Sequence, residues 1–168
     1  MKLNLGCGDQ PVRGFTSIDI DDTLHPEITA DVRKLRFAPN SIEAVYCSHM
    51  LEHLNSVDST ELLKRIYTWL EPGGILWLSI PDFEAAVIKY LEGDTSEYII
   101  GIIWGGDAKE YHAHRCGWSR SHIYGILNDI GFGIIDEDFP PLVLDWSTAI
   151  KDDVRLSMNI KCKKEAVA

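Results

Sequence analysis

A chain of 168 residues, 45% apolar and 25% charged, is long enough to close one sizeable core and has an ordinary globular balance, which excludes disorder or a coiled coil for its bulk. Its formal charge of −10, with no basic stripe to offset it, excludes a nucleic-acid backbone as partner, because the two would repel at long range. The most apolar window, residues 98–104, is too short to span a bilayer. The four cysteines show no C-x-x-C pair, and Met1 leads almost directly into a strand, so a reduced, cytoplasmic protein is expected. No linker divides the chain, which reads as a single domain over residues 1–163 with a short tail, 164–168.

Residues 3–5 form a buried first strand that runs into Gly6-Cys7-Gly8, and a second strand beginning near Phe15 ends in Asp19-Ile20-Asp21. A parallel crossover normally takes a dozen or more residues including a helix, and the segment from Gly6 to Gly14 has little room for one. The next connection, residues 21–27, is equally short and carries Pro26, leading to a brief third strand at 28–30. After the turn residues Pro39-Asn40-Ser41, residues 42–47 read as a fourth buried strand with the polar tip Ser48-His49-Met50-Leu51-Glu52-His53-Leu54.

Asp58, with Glu61 three residues on, makes a capping-box start, and Leu62, Leu63, Ile66, Tyr67, Trp69 and Leu70 recur at helical spacing up to Pro72-Gly73-Gly74. Residues 75–80 are a mostly apolar, hence central, fifth strand, so the sheet is parallel with right-handed crossovers. Asp82 caps a helix through about Glu92 whose apolar face is Phe83, Val87, Tyr90 and Leu91, and a second apolar helix covers 95–104. Residues 107–118 are polar, histidine-rich and aperiodic, the pattern of a loop over a site. A last helix, 119–130, turns Ile123, Ile126, Leu127 and Ile130 inward, and a sixth strand at 133–139 breaks at Pro140-Pro141. Strict alternation over 156–163 predicts a seventh strand with one wet or weakly covered face.

A glycine turn lets backbone N–H groups approach a ligand, and an acid at the tip of the next strand can accept both hydroxyls of a ribose, so a nucleoside-containing cofactor is implied. The third glycine of the dinucleotide fingerprint is missing, with Gln10 near its place, which argues against a nicotinamide oxidoreductase. The ordered set is more specific than the turn: Gly6-Cys7-Gly8, Asp19 at a strand tip, Asp31-Val32, then Pro72-Gly73-Gly74 opening a buried strand.

In Leu3-Asn4-Leu5-Gly6-Cys7-Gly8, Ser17-Ile18-Asp19-Ile20, Leu51-Glu52-His53-Leu54 and Leu70-Glu71-Pro72-Gly73-Gly74 the chain resembles the class I S-adenosylmethionine-dependent methyltransferases. The resemblance implies an α/β, Rossmann-like sheet, mostly parallel with an antiparallel last strand, and reduced helices after the first two strands. It implies S-adenosylmethionine as cofactor, with Gly6, Cys7 and Gly8 at its methionine end, Asp19 and Ile20 at the ribose, and Asp31 and Val32 at the adenine. Ser48 and His49 would lie near the sulfonium and the incoming substrate. Through the compressed first loop ending in Gly14-Phe15 the chain is also similar to short methyltransferases of polysaccharide or glycosyl-transfer pathways. That narrower similarity implies a small-molecule acceptor, a sugar or sugar-linked intermediate, with O-methylation as the chemistry. The competing reading is a non-catalytic S-adenosylmethionine-binding protein acting through a partner.

Transfer to a hydroxyl needs a base, for which His49, Asp82, His112 and His114 are the candidates. Asp82 reads more readily as a helix cap, and His53, between Leu51 and Leu54, as a packed histidine, while His49 lies where open α/β sheets bind ligands. His112, His114 and Cys116 could present metal-ligand types on one side of an extended segment. No fourth ligand is evident and methyl transfer needs no metal, so none is assigned. Trp104, Tyr111 and Trp118 flank this segment, either to stack on a ring or to pack. The missing crossover helices would leave one side of the sheet thinly covered, and a homodimer is expected to cover it.

Overall fold

The computed structural model describes residues 1–106 and 109–165. Strands β1 (Lys2–Leu5), β2 (Thr16–Asp19), β3 (Ile28–Thr29), β4 (Ile42–Ser48), β5 (Leu70–Pro81) and β6 (Phe132–Glu137) join a single sheet with β9 (Ser157–Lys164). Its order is β3-β2-β1-β4-β5-β9-β6, while β7 (Ile150–Lys151) and β8 (Val154–Arg155) make a separate hairpin. The strands from β3 to β5 are parallel, and β9, the expected seventh strand, slots in antiparallel between β5 and β6. This is the Rossmann-like methyltransferase sheet that the resemblance implied. No α-helix follows β1, and only a 3-10 turn (Asp22–Leu24) follows β2.

Helix α1 (Ser56–Trp69) begins one turn earlier than the capping box at Asp58 suggests, because Asn55 accepts from the Asp58 N–H at 2.9 Å and acts as the cap. Asp58 instead places its charge in the first turn, where the helix dipole favours it. Strand β5 starts at once after α1, so Pro72-Gly73-Gly74 lies at an irregularity in the β4–β5 pairing rather than in a loop. Helix α4 (Arg120–Ile130) is capped by Ser119, buries Ile123 and Leu127 and stops at Gly131 in a left-handed conformation. These two helices enclose the main core with Leu3, Leu5, Ile18, Val45, Leu76 and Leu78.

Helix α2 (Phe83–Leu91) does start at Asp82, whose side chain accepts from the Ala85 N–H at 3.0 Å. Its expected apolar face is corrected: Phe83, Tyr90 and Leu91 are exposed, and the fully buried residue is Ala86. The reason is the neighbour. The helix packs through this small residue against Ile99 and Ile102 of α3 (Glu97–Trp104) instead of laying its large side chains on the sheet.

Loops cover the sheet face that lacks crossover helices. Val12 and Phe15 of the first loop and Phe139 and Val143 of the last excursion pack on Tyr46 and Trp77. The Tyr46 hydroxyl donates to Asp145 Oδ2 at 2.7 Å, and Phe15 meets Trp77 edge to face. These loops cover part of the face whose thin coverage motivated the homodimer, while Leu142, Leu144 and Trp146 of the excursion stay exposed. The wet face expected for the seventh strand is also corrected: Ser157 and Asn159 are buried, with the Asn159 amide donating to Ser147 O at 3.0 Å. Strand β9 runs through Lys164, one residue into the expected tail, and residues 166–168 of that tail lie outside the described residues. No helix among the described residues is long and apolar enough to cross a membrane.

Candidate functional site

The C-terminal tips of β1, β2 and β4 open into one cavity of about 640 Å³, which α3 and the loop 109–118 enclose from above. This is the edge of an open parallel sheet where ligands bind, and the volume is ample for a nucleoside with a small second molecule. At the β1 tip Gly6 has φ +65°, and a Cβ there would fall 2.2 Å from Met50 Cγ, so only glycine fits. Gly8 has φ +53°, and a Cβ there would meet nothing within 4 Å, which leaves its backbone open to a ligand. Asp19, at the β2 tip, holds the turn in shape. Its Oδ2 accepts from the Gly8 N–H and its Oδ1 from the Asp21 N–H, both at 2.9 Å. A carboxylate has about four acceptor positions, so capacity remains for a ligand hydroxyl.

Beyond β3, Asp31 and Val32 line the same cavity. Asp31 is engaged in a two-pronged pair with Arg33, at 3.0 and 2.7 Å, which holds its carboxyl below the usual range. Ile20 is 46% exposed and presents an apolar side chain beside them.

At the β4 tip His49 takes a left-handed backbone conformation, φ +48°, that turns its ring inward. Its Nε2 lies 2.9 Å from Ser157 Oγ, and its Nδ1 stands 3.3 Å from Glu52 Oε1, out of hydrogen-bonding alignment. Glu52 is 1% exposed, and neither carboxylate oxygen has a hydrogen-bond partner among the described residues. Burial pushes its carboxyl up, but the imidazoles of His49, His53 and His114 together outweigh that and hold it below the usual range. His53 Nδ1 lies 3.3 Å from Ala113 O, His114 Nδ1 lies 3.1 Å from Ile102 O, and the two rings meet edge to face. Burial holds the His114 imidazole below its ordinary value, which favours the neutral ring.

The loop is anchored at both ends. Lys109 Nζ and the Tyr111 hydroxyl both donate to Asp21 Oδ2, the latter at 2.9 Å, and the Arg115 N–H donates to Glu52 O at 2.8 Å. Gly105 pairs with Ala113 at the loop's neck, where a Cβ on the glycine would lie 2.3 Å from His112 O.

Of the residues singled out in the sequence, Gly6, Gly8, Asp19, Ile20, Asp31, Val32, His49, His112 and His114 line this cavity, whereas Cys7, Ser48 and Asp82 do not. Cys7 is buried, and burial with the Asp19 charge raises its thiol to about 11. Ser48 Oγ is buried without a partner among the described residues. Asp82 caps α2 and stands 3.8 Å from Arg120. The grouping of His112, His114 and Cys116 that the sequence left open, without assigning a metal, does not form among the described residues: His114 turns to Glu52 and His53, while the Cys116 thiol donates to Leu54 O at 3.2 Å. Trp118 belongs to the core and Trp104 is not part of the lining, so of the three flanking aromatics Tyr111 alone faces the cavity.

Sequence reasoning gave no site role to Glu52, Tyr98 and Trp146, all in the lining, or to Asp21, which anchors the loop, and it read His53, also in the lining, as a packed histidine. The pattern His49-x-x-Glu52-His53 just past a strand tip was the available signal for Glu52 and His53. Nothing local marked Tyr98 or Trp146.

Residues 7–137 match the family described as methyltransferase domain. No protein of curated function matches the chain. Among solved structures, an S-adenosylmethionine-dependent methyltransferase from Mesorhizobium loti is 17% identical, with a TM-score of 0.65 over 96% of this chain and 89% of that one. One from Methanosarcina mazei is 16% identical, with a TM-score of 0.67 over 98% and 92%. The 1,6-didemethyltoxoflavin-N1-methyltransferase of Burkholderia thailandensis, solved with its substrate and S-adenosylhomocysteine, is 12% identical, with a TM-score of 0.60 over 98% and 71%. At these identities the structures establish a common fold, and the family match covers most of the chain. The protein therefore belongs to the class I S-adenosylmethionine-dependent methyltransferases, with S-adenosylmethionine as its methyl donor.

Proposed function

We propose that the chain methylates a hydroxyl of a small-molecule acceptor, a sugar or sugar-linked intermediate, held between the β4 tip and the loop 109–118. The observation that carries this reading is one continuous cavity joining the open glycine turn to a wall of histidines and aromatics. When bound, S-adenosylmethionine supplies a methyl group made electrophilic by its sulfonium. Gly6 and Gly8 give close backbone approach at the methionine end, Asp19 accepts from the ribose hydroxyls, and Ile20 and Val32 flank the adenine with Asp31 at its edge. The residues fit the cofactor: Gly8 is unobstructed on its cavity side, and Asp19 keeps acceptor capacity after shaping the turn.

Tyr98 and Trp146 offer the acceptor an apolar aromatic wall, of the kind that stacks on a sugar ring. His112 lines the cavity and has no side-chain hydrogen bond among the described residues, and we assign it the hydroxyl proton. His49, held by Ser157 and beside Glu52, positions the wall instead of exchanging protons with the acceptor. Enclosure by the anchored loop keeps water from the reacting atoms.

The test is an acceptor screen with isotopically labelled S-adenosylmethionine against free sugars, sugar phosphates, nucleotide sugars, phenols and amines, read by mass spectrometry. Label on a sugar hydroxyl is expected. Label confined to amines, or to no small molecule at all, overturns the reading.

A further inference from the structure

We propose that Glu52, His53 and His114 form a binding site for a divalent transition-metal ion, zinc by its donor set, with the ion's open position facing the cavity. One ligand atom from each of the three residues lies within 4.8 Å of the other two, and all three residues line the cavity wall. Two ligands of a tetrahedral zinc stand roughly 3.3 Å apart, so Glu52 Oε1 and His114 Nε2, at 3.9 Å, are already near that spacing.

Two independent features point to a cation. The first is the carboxylate. Glu52 is 1% exposed and neither of its oxygens has a hydrogen-bond partner among the described residues. A buried ionised acid without donors is costly, and native proteins resolve it by pairing or by coordinating a metal. The second is the tautomer of each histidine. The groups facing the two Nδ1 atoms are backbone carbonyls, Ala113 O for His53 and Ile102 O for His114, which only accept. Each Nδ1 therefore carries the proton, and each Nε2 keeps a lone pair. Carbonyl bonds of this kind orient metal-bound imidazoles and fix their tautomer.

Two imidazoles and a carboxylate suit zinc and its neighbours, whereas magnesium and calcium favour oxygen ligands. His49 Nδ1 also stands 3.3 Å from Glu52 Oε1, out of hydrogen-bonding alignment. Three protein ligands leave a fourth position, the arrangement of catalytic rather than structural zinc. The step at that position rests on the proposed acceptor site: the ion would hold the acceptor oxygen and ease loss of its proton to His112, and the oxygen's electron pair would form the O–CH3 bond as the S–CH3 bond of S-adenosylmethionine breaks, leaving S-adenosylhomocysteine. The sequence assigned no metal site, and this proposal departs from that expectation.

The experiment starts from full-length protein stripped with chelator and dialysed. Zinc is titrated calorimetrically, cobalt(II) binding is followed by visible absorption, and S-adenosylhomocysteine is titrated separately. Expected are one zinc per chain, cobalt bands of tetrahedral intensity, and at least tenfold weaker metal binding in Glu52→Gln and His114→Ala, with His122→Ala on the surface of α4 unchanged. No stoichiometric metal, or uptake that the two variants leave unaltered, overturns the proposal. Should a variant fail to fold, the wild-type cobalt spectrum decides. Retained S-adenosylhomocysteine binding without metal binding sinks this inference alone, and metal binding without transfer to any hydroxyl sinks the proposed reaction alone.

Discussion

Replacing Asp19 tests the link between the glycine turn and the cofactor most directly. Its carboxylate accepts two backbone N–H bonds at 2.9 Å, from Gly8 and Asp21, in a nearly buried setting. In Asp19→Ala both donors lose their partner. At about 1–3 kcal/mol for each orphaned group, with some relief from water at the more open Gly8, the loss is about 2–4 kcal/mol. For a chain of this size each kcal/mol lowers Tm by about 2–4 °C, so a fall of about 5–15 °C is expected in differential scanning fluorimetry. Loss of the ribose hydrogen bonds to a charged acceptor should cost a further ~1.5–3 kcal/mol of binding, or about ten- to 150-fold in the Kd for S-adenosylhomocysteine measured by calorimetry. Asp19→Asn, which keeps one acceptor oxygen, should lie between wild type and alanine on both scales. A Tm within 1 °C of wild type (~1 °C being within the scatter of surface substitutions) would show that the carboxylate does not organise the turn. An unchanged Kd beside a lowered Tm would move the ribose elsewhere.

Two further outcomes concern the elements around the site. In Tyr46→Phe the hydroxyl that donates to Asp145 at 2.7 Å is lost, which should cost about 1–2 kcal/mol and raise proteolytic sensitivity in the 139–149 excursion, read by limited proteolysis with mass spectrometry. Asp21 is held well below the ordinary carboxylate range, chiefly by its bond to Lys109 and then by Thr23 and Tyr111. A depressed folded-state pKa contributes stability above the unfolded value near 4 and loses it as pH falls through the lower folded value. The loop anchor should therefore persist below pH ~4 in wild type, and Lys109→Ala should raise the pH at which acid opens the loop, followed by hydrogen exchange of the 109–118 backbone.

The strand tips could be read from the sequence because their signals are local. Leu3, Leu5 and residues 44–47 are apolar and buried in the sheet, and Gly6 is required where a Cβ would strike Met50. Asp82 and Ser119 cap their helices through bonds made within a few residues, so they too were legible. The start of α1 was not, because Asn55 and Asp58 compete for the same turn and the outcome depends on how the chain leaves the 3-10 turn Leu51–His53.

By itself, then, the sequence determined the succession of the main-sheet strands and the α-helices (though not the β7–β8 hairpin), the glycine turn with its acid, and the family, all carried by residues close together in the chain. Tertiary structure alone decided what covers each face and which distant side chains meet. Periodicity reports that a residue is half-buried but not against what: Ala86 of α2 found a neighbouring helix, and Tyr46 found the loops that stand in for crossover helices. The meeting of Glu52 and His53 with His114 depends on the path of a loop pinned by Asp21 at one end and Glu52 O at the other. Closing such a loop costs chain entropy that only those distant bonds offset, and no spacing along the chain records them.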